Sequence, residues 1–224
     1  MKKYLLLLFL LFVIANNARA MDAELNGYYL LKLERSVSTG QVITVENTGK
    51  GDFRALVNCY EKRGNGWKKI YTFDAVTGRA GIIAAEKKRE GDKATPAGVY
   101  TLGLVFGYDK KPDTKMGYRE LTDDDIWIDD PEHPMYNRLF TGKTDAKSFE
   151  KMRRNDDLYR FGIVINYNTE PVVRYKGSAI FLHIWRDRDT PTSGCVAVPE
   201  EDIKAVISWL DPEKDPLIMI GKEE

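Results

Sequence analysis

The chain has 224 residues, and its 34 lysine and arginine residues balance its 34 aspartate and glutamate residues. Nucleic-acid-binding proteins usually carry a clustered basic excess, so this balance argues against that class. The two histidines and two cysteines are too few and too scattered for a zinc site built from several such ligands. We therefore expect neither a metal nor another cofactor, and a length that suits one domain with a sizeable core.

The first twenty residues have the pattern of an export signal. Two lysines precede an almost unbroken apolar run over residues 4–14, and Ala18-Arg19-Ala20 then supplies the small residues that a signal peptidase recognises. The run is short for a permanent membrane-spanning helix, although an uncleaved anchor is the alternative. We expect a signal peptide at residues 1–20, an N-terminal segment at 21–40, and a mature chain that works outside the cytoplasm.

The front half of the chain has the alternation of β-strands. Apolar and polar residues alternate from Phe53 to Tyr60, and Gly64-Asn65-Gly66 then offers positive-φ positions for a tight turn before a second strand. Cys59 lies on the apolar face of this alternation, where a free cysteine behaves as a small buried hydrophobe. Four strands are predicted here, at residues 28–33, 41–46, 53–60 and 67–73.

The middle of the chain is less regular. Further strands are predicted at residues 80–85 and 98–106, and the charged stretch between them, punctuated by proline and glycine, predicts a solvent-exposed loop. Periodicity weakens over residues 108–160, which we interpret as an insertion that contains a helix across residues 146–158. So much loop in a compact domain indicates a pocket wall or lid, or alternatively an ordered loop packed on its own side chains.

The final third predicts three short buried strands and one helix. The strands cover residues 161–167, 179–184 and 217–220, and the helix begins at Pro199 with acidic residues in its first turn. The helix carries one apolar stripe, formed by Ile203, Val206, Ile207 and Leu210. The predicted fold class is mainly β: a β-sandwich of mixed sheets with a loop and helix insertion and one C-terminal helix.

Two residues in the final third have the types and spacing of a nucleophile and its base. His183 lies at the end of a buried strand, and the segment Thr192-Ser193-Gly194-Cys195 follows after a short loop. A thiolate is the reactive form of cysteine, and a nearby histidine can generate it and stabilise it as an ion pair. Gly194 permits a sharp turn, and the amides around Gly194 and Cys195 are candidates for an oxyanion hole. A disulfide between Cys59 and Cys195 is the alternative in an exported protein.

This pattern resembles the signature of the L,D-transpeptidase catalytic domain, the YkuD-like family, which has a histidine, a variable loop and then Ser/Thr-x-Gly-Cys. Further segments that resemble the family occur in the same order, namely Thr95–Tyr100, Trp127–Asn137, Val164–Asn168 and Gly177–His183. The resemblance covers roughly residues 41–221, including the insertion at about 108–160. Two positions depart from the family pattern, because Ser193 replaces the usual histidine before Gly-Cys and Ala197 replaces a polar residue after it.

The resemblance implies acyl transfer on a peptidoglycan stem tetrapeptide. Cys195 would attack the carbonyl after the L-centre and release the terminal D-alanine, with His183 as its base and a backbone carbonyl such as that of Ile184 orienting the ring. Candidate substrate-binding residues are Ser193, Trp185, Arg186 and Tyr136. Arg188 is expected to face solvent, and His133 lies in the long loop away from any nucleophile.

The function predicted is a peptidoglycan L,D-transpeptidase that passes its acyl group to an amine acceptor in the periplasm or cell wall, in the formation of the wall and of cell shape. A second hypothesis keeps the Cys195 acyl-enzyme but ends in hydrolysis, as in an L,D-carboxypeptidase or endopeptidase. A third is a non-catalytic wall-binding module whose two cysteines form a disulfide. The expected partners are peptidoglycan stem peptides, with no nucleic acid and no membrane span after signal cleavage.

Overall fold

The computed structural model describes residues 38–49, 52–64, 66–110 and 112–221. The predicted signal peptide, nearly all of the predicted N-terminal segment and the predicted strand at 28–33 lie outside these residues. In the part that is described, no helix is long and apolar enough to cross a membrane. The described residues from Gly40 onward belong to one compact unit.

Two β-sheets and one α-helix make up the regular structure of the described residues. The strands are β1 (Gln41–Asn47), β2 (Arg54–Arg63), β3 (Gly66–Val76), β4 (Ile82–Ala84), β5 (Thr95–Gly107), β6 (Tyr118–Glu120), β7 (Asp125–Ile128), β8 (Arg138–Thr141), β9 (Phe149–Lys151), β10 (Phe161–Ile165), β11 (Phe181–Ile184), β12 (Val196–Val198) and β13 (Leu217–Ile220). The α-helix is α1 (Glu200–Trp209), and short 3-10 helices cover Ala85–Lys87 and Pro212–Lys214.

The larger sheet closes on itself. Its strands follow the order β10-β11-β12-β3-β2-β1-β13-β5, and β5 also pairs with β10, which joins the two ends. Closure depends on the length of β5, because Gly98 to Thr101 pair with β13 while Leu102 to Gly107 pair with β10. The mainly β class and the mixed pairing agree with the prediction. The arrangement differs from the predicted sandwich, since this sheet is barrel-like and the order β8-β7-β9 forms a second, smaller sheet.

The predicted hairpin is confirmed by an antiparallel pair that runs from Arg54 opposite Val76 to Arg63 opposite Gly66. The alternation in β2 places Ala55, Val57 and Cys59 in the core, where each is at most 2% exposed. Their neighbours on the opposite face remain partly or fully accessible. The apolar periodicity of the sequence therefore determines which face of this strand is buried.

The predicted C-terminal helix is also confirmed. Pro199 caps α1, and three acidic residues occupy its first turn, where they complement the helix dipole. Three residues of the predicted stripe are buried within the helix, and the fourth, Leu210, is buried just after it. This face of α1 packs against β10 and β11. The helix therefore supports the strand that carries His183 from behind.

The predicted helix across residues 146–158 is wrong. Residues 149–151 form β9, which pairs antiparallel with β7, and the Met152 N–H donates to the Asp125 carbonyl at 2.9 Å. Phe149 and Met152 have helical spacing, but Phe149 is exposed while Met152 is buried. Extended backbone is favoured here because β7 supplies hydrogen-bonding partners that an isolated stretch with so few apolar residues lacks. The pairing of β9 with β7 also places Glu150 on the wall of a cavity.

The charged stretch after β4 is only partly the solvent-exposed loop that its composition predicts. Lys88 is 3% exposed, and its ammonium group donates to Asp92 at 2.7 Å and to the Arg89 carbonyl at 2.9 Å. The buried charge is thus paired and hydrogen-bonded within the loop. Residues of this loop line the same cavity as Glu150, so the loop forms part of the cavity wall.

Replacing Gly162 by alanine is expected to destabilise the domain by about 1–3 kcal/mol. Gly162 lies in β10, where an added Cβ would meet the Phe106 ring at 2.3 Å, and Phe106 in turn packs against Phe181 with centroids 5.2 Å apart. Urea unfolding at neutral pH measures the change. Gly66→Ala is the matched control, because a Cβ there meets nothing within 4 Å. Equal free energies of unfolding for the two variants would contradict this packing.

Candidate active site

Two neighbouring strands bring Cys195 and His183 to one face of the closed sheet. In the parallel pair of β11 and β12, Leu182 lies opposite Val196 and His183 opposite Ala197. Side chains alternate along a strand, so Cys195, two residues before Ala197, points to the same face as His183. Both side chains line a cavity of about 580 Å³. Topology, and not only the short loop in the sequence, therefore places the predicted nucleophile and the predicted base on the wall of one cavity.

The Cys195 thiol is buried and hydrogen-bonded to the backbone. Its Sγ accepts from the Phe181 N–H at 3.4 Å and donates to the Ala179 carbonyl at 3.2 Å. Gly194 has a φ of +148°, and a Cβ there would lie 3.1 Å from the Ala94 carbonyl oxygen, so glycine suits this position. The Gly194 N–H donates to Thr192 Oγ1 at 3.1 Å. The Gly194 amide is therefore engaged, and the Cys195 amide is left as the predicted oxyanion donor.

The His183 ring is oriented by the backbone carbonyl that follows it. Its Nδ1 lies 2.7 Å from the Ile184 carbonyl oxygen, which confirms the predicted contact. Because a carbonyl oxygen only accepts hydrogen bonds, Nδ1 carries the proton and Nε2 is left with a lone pair. Nε2 is the nitrogen that can take a proton during catalysis.

Burial holds both groups in their neutral forms. It lowers the pKa of His183 to about 4 and, with the negative charge of Glu150, raises the pKa of Cys195 to about 12. The resting pair at neutral pH is therefore a thiol and a neutral imidazole, and not the ion pair that the sequence analysis allowed. Among the described contacts, Sγ–H is directed to Ala179, so it must turn from that carbonyl before His183 can accept its proton.

The low pKa of His183 predicts a pH dependence of stability. Between the ordinary value of 6.5 and the folded value of about 4, the unfolded chain binds a proton that the folded chain does not. Stability from this group is therefore complete above pH 6.5 and is lost as the pH falls toward 4, by about 3 kcal/mol in all. Urea unfolding across this range should show a shallower pH dependence in His183→Gln. Equal slopes in the two proteins would contradict a buried neutral imidazole.

Three residues that the sequence did not single out complete the surroundings of the thiol. Tyr159 is 3% exposed, and its ring packs edge-on against that of His183 with centroids 5.0 Å apart. Tyr159 packs in the same buried cluster as Cys195, and its hydroxyl donates to Glu150 Oε1 at 2.7 Å. Arg154 lies over the Tyr159 ring at 5.0 Å and donates to Glu150 at 3.3 Å. Tyr159, Glu150 and Arg154 all come from the predicted insertion and line the cavity, which favours the interpretation of the insertion as a pocket wall.

Three of the four predicted substrate-binding residues line the cavity, and one does not. Ser193, Trp185 and Arg186 share its wall with Cys195, and Arg186 also donates to Asp156 at 3.1 Å. Tyr136 is 2% exposed and lies behind the wall, where its hydroxyl donates to Glu90 and accepts from the Gly177 N–H at 3.1 Å. Tyr136 is therefore not part of the cavity lining, and its hydroxyl holds Glu90, which is part of that lining.

One carboxylate of the cavity lacks a hydrogen-bonding partner at one oxygen. In the described structure, Asp129 Oδ1 is buried and accepts no hydrogen bond, although Asp129 lines the cavity. Burial raises the pKa of Asp129, and the charge of Glu90 adds to this effect. Glu150 belongs to the same wall, so three carboxylates face this part of the cavity. Such an arrangement attracts a cationic group.

The remaining sequence candidates lie away from the cavity. Cys59 and Cys195 are both free thiols, which contradicts the alternative of a disulfide; Cys59 is wholly buried in the core. His133 pairs with Asp145 at 3.1 Å, and Arg188 lies 3.7 Å from Asp74. Within the described ranges, no group of three or more His, Cys, Asp or Glu side chains could hold a metal ion.

Comparison with known proteins agrees with the motif. The model of a family described as the L,D-transpeptidase catalytic domain, YkuD, matches residues 41–219. No curated protein matches the chain. Among solved structures, that of Bdellovibrio bacteriovorus Bd1075 is similar with a TM-score of 0.43 and 19% sequence identity, over 81% of this chain and 48% of that chain. The chain thus spans about half the length of that structure.

Proposed function

Because the chain belongs to the L,D-transpeptidase catalytic-domain family, we propose that it is an acyltransferase that acts on peptidoglycan stem peptides, with Cys195 as its nucleophile and His183 as its base. The observation that carries the proposal is the shared wall of one cavity, where both side chains point to the same face. The proposed site of action is the periplasm or cell wall, which the predicted export signal supports.

Acylation in this proposal starts from neutral groups. The Cys195 proton passes to His183 Nε2 as the sulfur attacks the carbonyl carbon after the L-centre of a stem tetrapeptide. Collapse of the tetrahedral intermediate breaks the C–N bond to the terminal D-alanine, which leaves with the proton that His183 held. The stem tripeptide remains as a thioester on Cys195. The Cys195 N–H is the proposed donor to the oxyanion.

The second half of the reaction transfers the acyl group to an amine. The amine attacks the thioester, His183 takes its proton, and the proton returns to the sulfur as the C–S bond breaks. Asp129 supports an amine acceptor, because the amine that arrives as an ammonium can give a proton to this carboxylate, keep an N–H hydrogen bond to its buried Oδ1, and then attack as the neutral amine. The negative charges of Glu90 and Glu150 on the same wall favour the same cation. Hydrolysis of the thioester requires none of these features.

Product analysis tests the proposal. The purified protein is incubated with disaccharide-tetrapeptide fragments that carry a free diaminopimelate amine, and the products are separated and weighed by mass spectrometry. We expect cross-linked dimers together with free D-alanine. Tripeptide fragments without dimers would show that the same site hydrolyses its substrate and does not transfer the acyl group to an amine. Unchanged fragments under conditions where the protein is folded would overturn acyl transfer altogether.

A further inference from the structure

Tyr159 packs beside the predicted nucleophile, and its hydroxyl is bonded to a carboxylate. Tyr159 lies two residues before β10, and its ring is held edge-on by Phe106, Phe181 and His183, with centroid distances of 5.8, 5.6 and 5.0 Å. This packing leaves the hydroxyl little freedom of position. Its oxygen donates to Glu150 Oε1 at 2.7 Å, and Tyr159 shares a buried cluster and the cavity wall with Cys195.

A phenol hydroxyl has a single proton, and here that proton has two possible acceptors. While Cys195 is a thiol, the tyrosine proton is directed to Glu150 and the thiol proton to the Ala179 carbonyl. Once Cys195 has lost its proton, the thiolate becomes a competing anionic acceptor. Hydrogen bonds to a charged acceptor are the stronger ones, so the hydroxyl stabilises whichever anion it faces.

Charged and titratable groups surround this contact on several elements. Glu150 belongs to β9, His183 to β11, and Arg154 donates both to Glu150 at 3.3 Å and to Asp156 at 2.7 Å. Burial raises the pKa of Glu150, and the negative charge of Asp129, which follows β7, adds to this effect. The other charged residues of the cavity wall are Lys88, Glu90, Lys93 and Arg186. Of these groups, Glu150 is the one that accepts the Tyr159 hydroxyl proton.

We propose that Tyr159 is a further catalytic residue, whose hydroxyl proton turns from Glu150 to the Cys195 sulfur as the thiolate forms, and that Glu150 restrains this turn. The proposal rests on the proposed function in taking Cys195 as the nucleophile. The proton balance is closed: the thiol proton goes to His183 Nε2, Tyr159 keeps its own proton, and no group is oxidised or reduced. Glu150 keeps the hydrogen bond from Arg154 while Tyr159 faces the sulfur.

The two residues should have opposite effects on the nucleophile. Loss of the Tyr159 hydroxyl removes a donor to the thiolate, whereas loss of the Glu150 charge removes both a competing acceptor and a nearby negative charge. A substrate cation that pairs with Glu150 would have the same effect as loss of the Glu150 charge. The Tyr159 hydroxyl could then donate its hydrogen bond to the sulfur. The thiol would thus be held unreactive until the cavity is occupied.

The test is the pH dependence of Cys195 alkylation by iodoacetamide, followed by intact-protein mass spectrometry. At a fixed pH below the midpoint, for example about pH 8, we expect Tyr159→Phe to react about tenfold more slowly and Glu150→Gln about tenfold faster than the wild type, a factor of ten corresponding to one unit in thiol pKa. In a Tyr159→Phe background, Glu150→Gln should accelerate the reaction less, because part of its effect passes through the hydroxyl.

Two controls and one diagnostic outcome separate this effect from background reaction and from damage to the fold. Tyr167→Phe removes another buried hydroxyl, which donates to the Lys176 carbonyl, and should leave the rate unchanged. Cys195→Ala measures the background alkylation of Cys59. General loosening of the structure would accelerate alkylation in both Tyr159→Phe and Glu150→Gln.

The proposal is overturned if Tyr159→Phe reacts at or above the wild-type rate, or if Glu150→Gln reacts at or below it. Should Tyr159→Phe fail to fold, a Glu150→Gln rate at or below that of the wild type still overturns the proposal. The assay contains no peptidoglycan, so it gives its answer whether or not the protein transfers acyl groups. A failure of the proposed function would appear in the product analysis and not here.

Discussion

Replacing Cys195 by alanine is expected to lower the rate of acyl transfer at least about a thousandfold, because the covalent intermediate cannot form without the sulfur. The change should leave the fold intact, since Cys195 precedes β12 and its thiol makes only two backbone hydrogen bonds. Product formation from stem tetrapeptides, measured as initial rates, gives the comparison.

The matched control for this prediction is the other cysteine. Cys59→Ala removes a thiol from the core, so it should cost about 1 kcal/mol or more of stability but retain activity at temperatures where the protein is folded. Comparable loss of activity in both variants, or undiminished activity in Cys195→Ala, would show that Cys195 is not the nucleophile.

Replacing His183 by glutamine is expected to slow acylation by about 10²–10⁴-fold, the usual contribution of a positioned general base. Glutamine can occupy the site, but it cannot accept the thiol proton as the neutral Nε2 does. Single-turnover measurements of D-alanine release isolate this step. His133→Gln is the control, because that histidine is paired with Asp145 away from the cavity, and it should change the rate less than about twofold.

The pKa of His183 also predicts how the rate of acylation declines at acidic pH. Burial lowers the pKa of His183 to about 4, so the imidazole is a free base at all higher pH values. Acylation by the wild type should therefore persist when the pH falls from 7 to about 5 and decline only near pH 4. A decline centred near the ordinary value of 6.5 would contradict the buried neutral base, as would an unchanged rate in His183→Gln.

Local sequence patterns were enough to predict the strands that frame the site, the terminal helix and the two side chains, Cys195 and His183, that share the cavity wall. The alternation from Phe53 to Tyr60 and the stripe of α1 depend on neighbours within a few residues, so periodicity identifies them. The motif around Cys195 is likewise a short run. The structure adds that the parallel register of β11 and β12 aligns this motif with His183.

What could not be predicted depends on partners that are distant along the chain. Glu150 reaches the cavity because β9 pairs with β7, and Tyr159 does so just before β10, which pairs with β11, while residues 146–158 by themselves have the composition of a helix. Similarly, the charged loop after β4 enters the cavity wall because Glu90 accepts hydrogen bonds from Tyr136 and Ser178, far along the chain. Closure of the large sheet depends on the two-sided pairing of β5, which no local pattern in that strand encodes.

The most direct test of the proposed nucleophile is intact-protein mass spectrometry of a reaction with a stem tetrapeptide donor, quenched in acid within the first turnover. We expect an adduct with the mass of the donor less D-alanine, located at Cys195 by peptide mapping and absent from Cys195→Ala. An adduct on any other residue, or formation of product by an enzyme that never carries the adduct, would contradict a Cys195 acyl-enzyme.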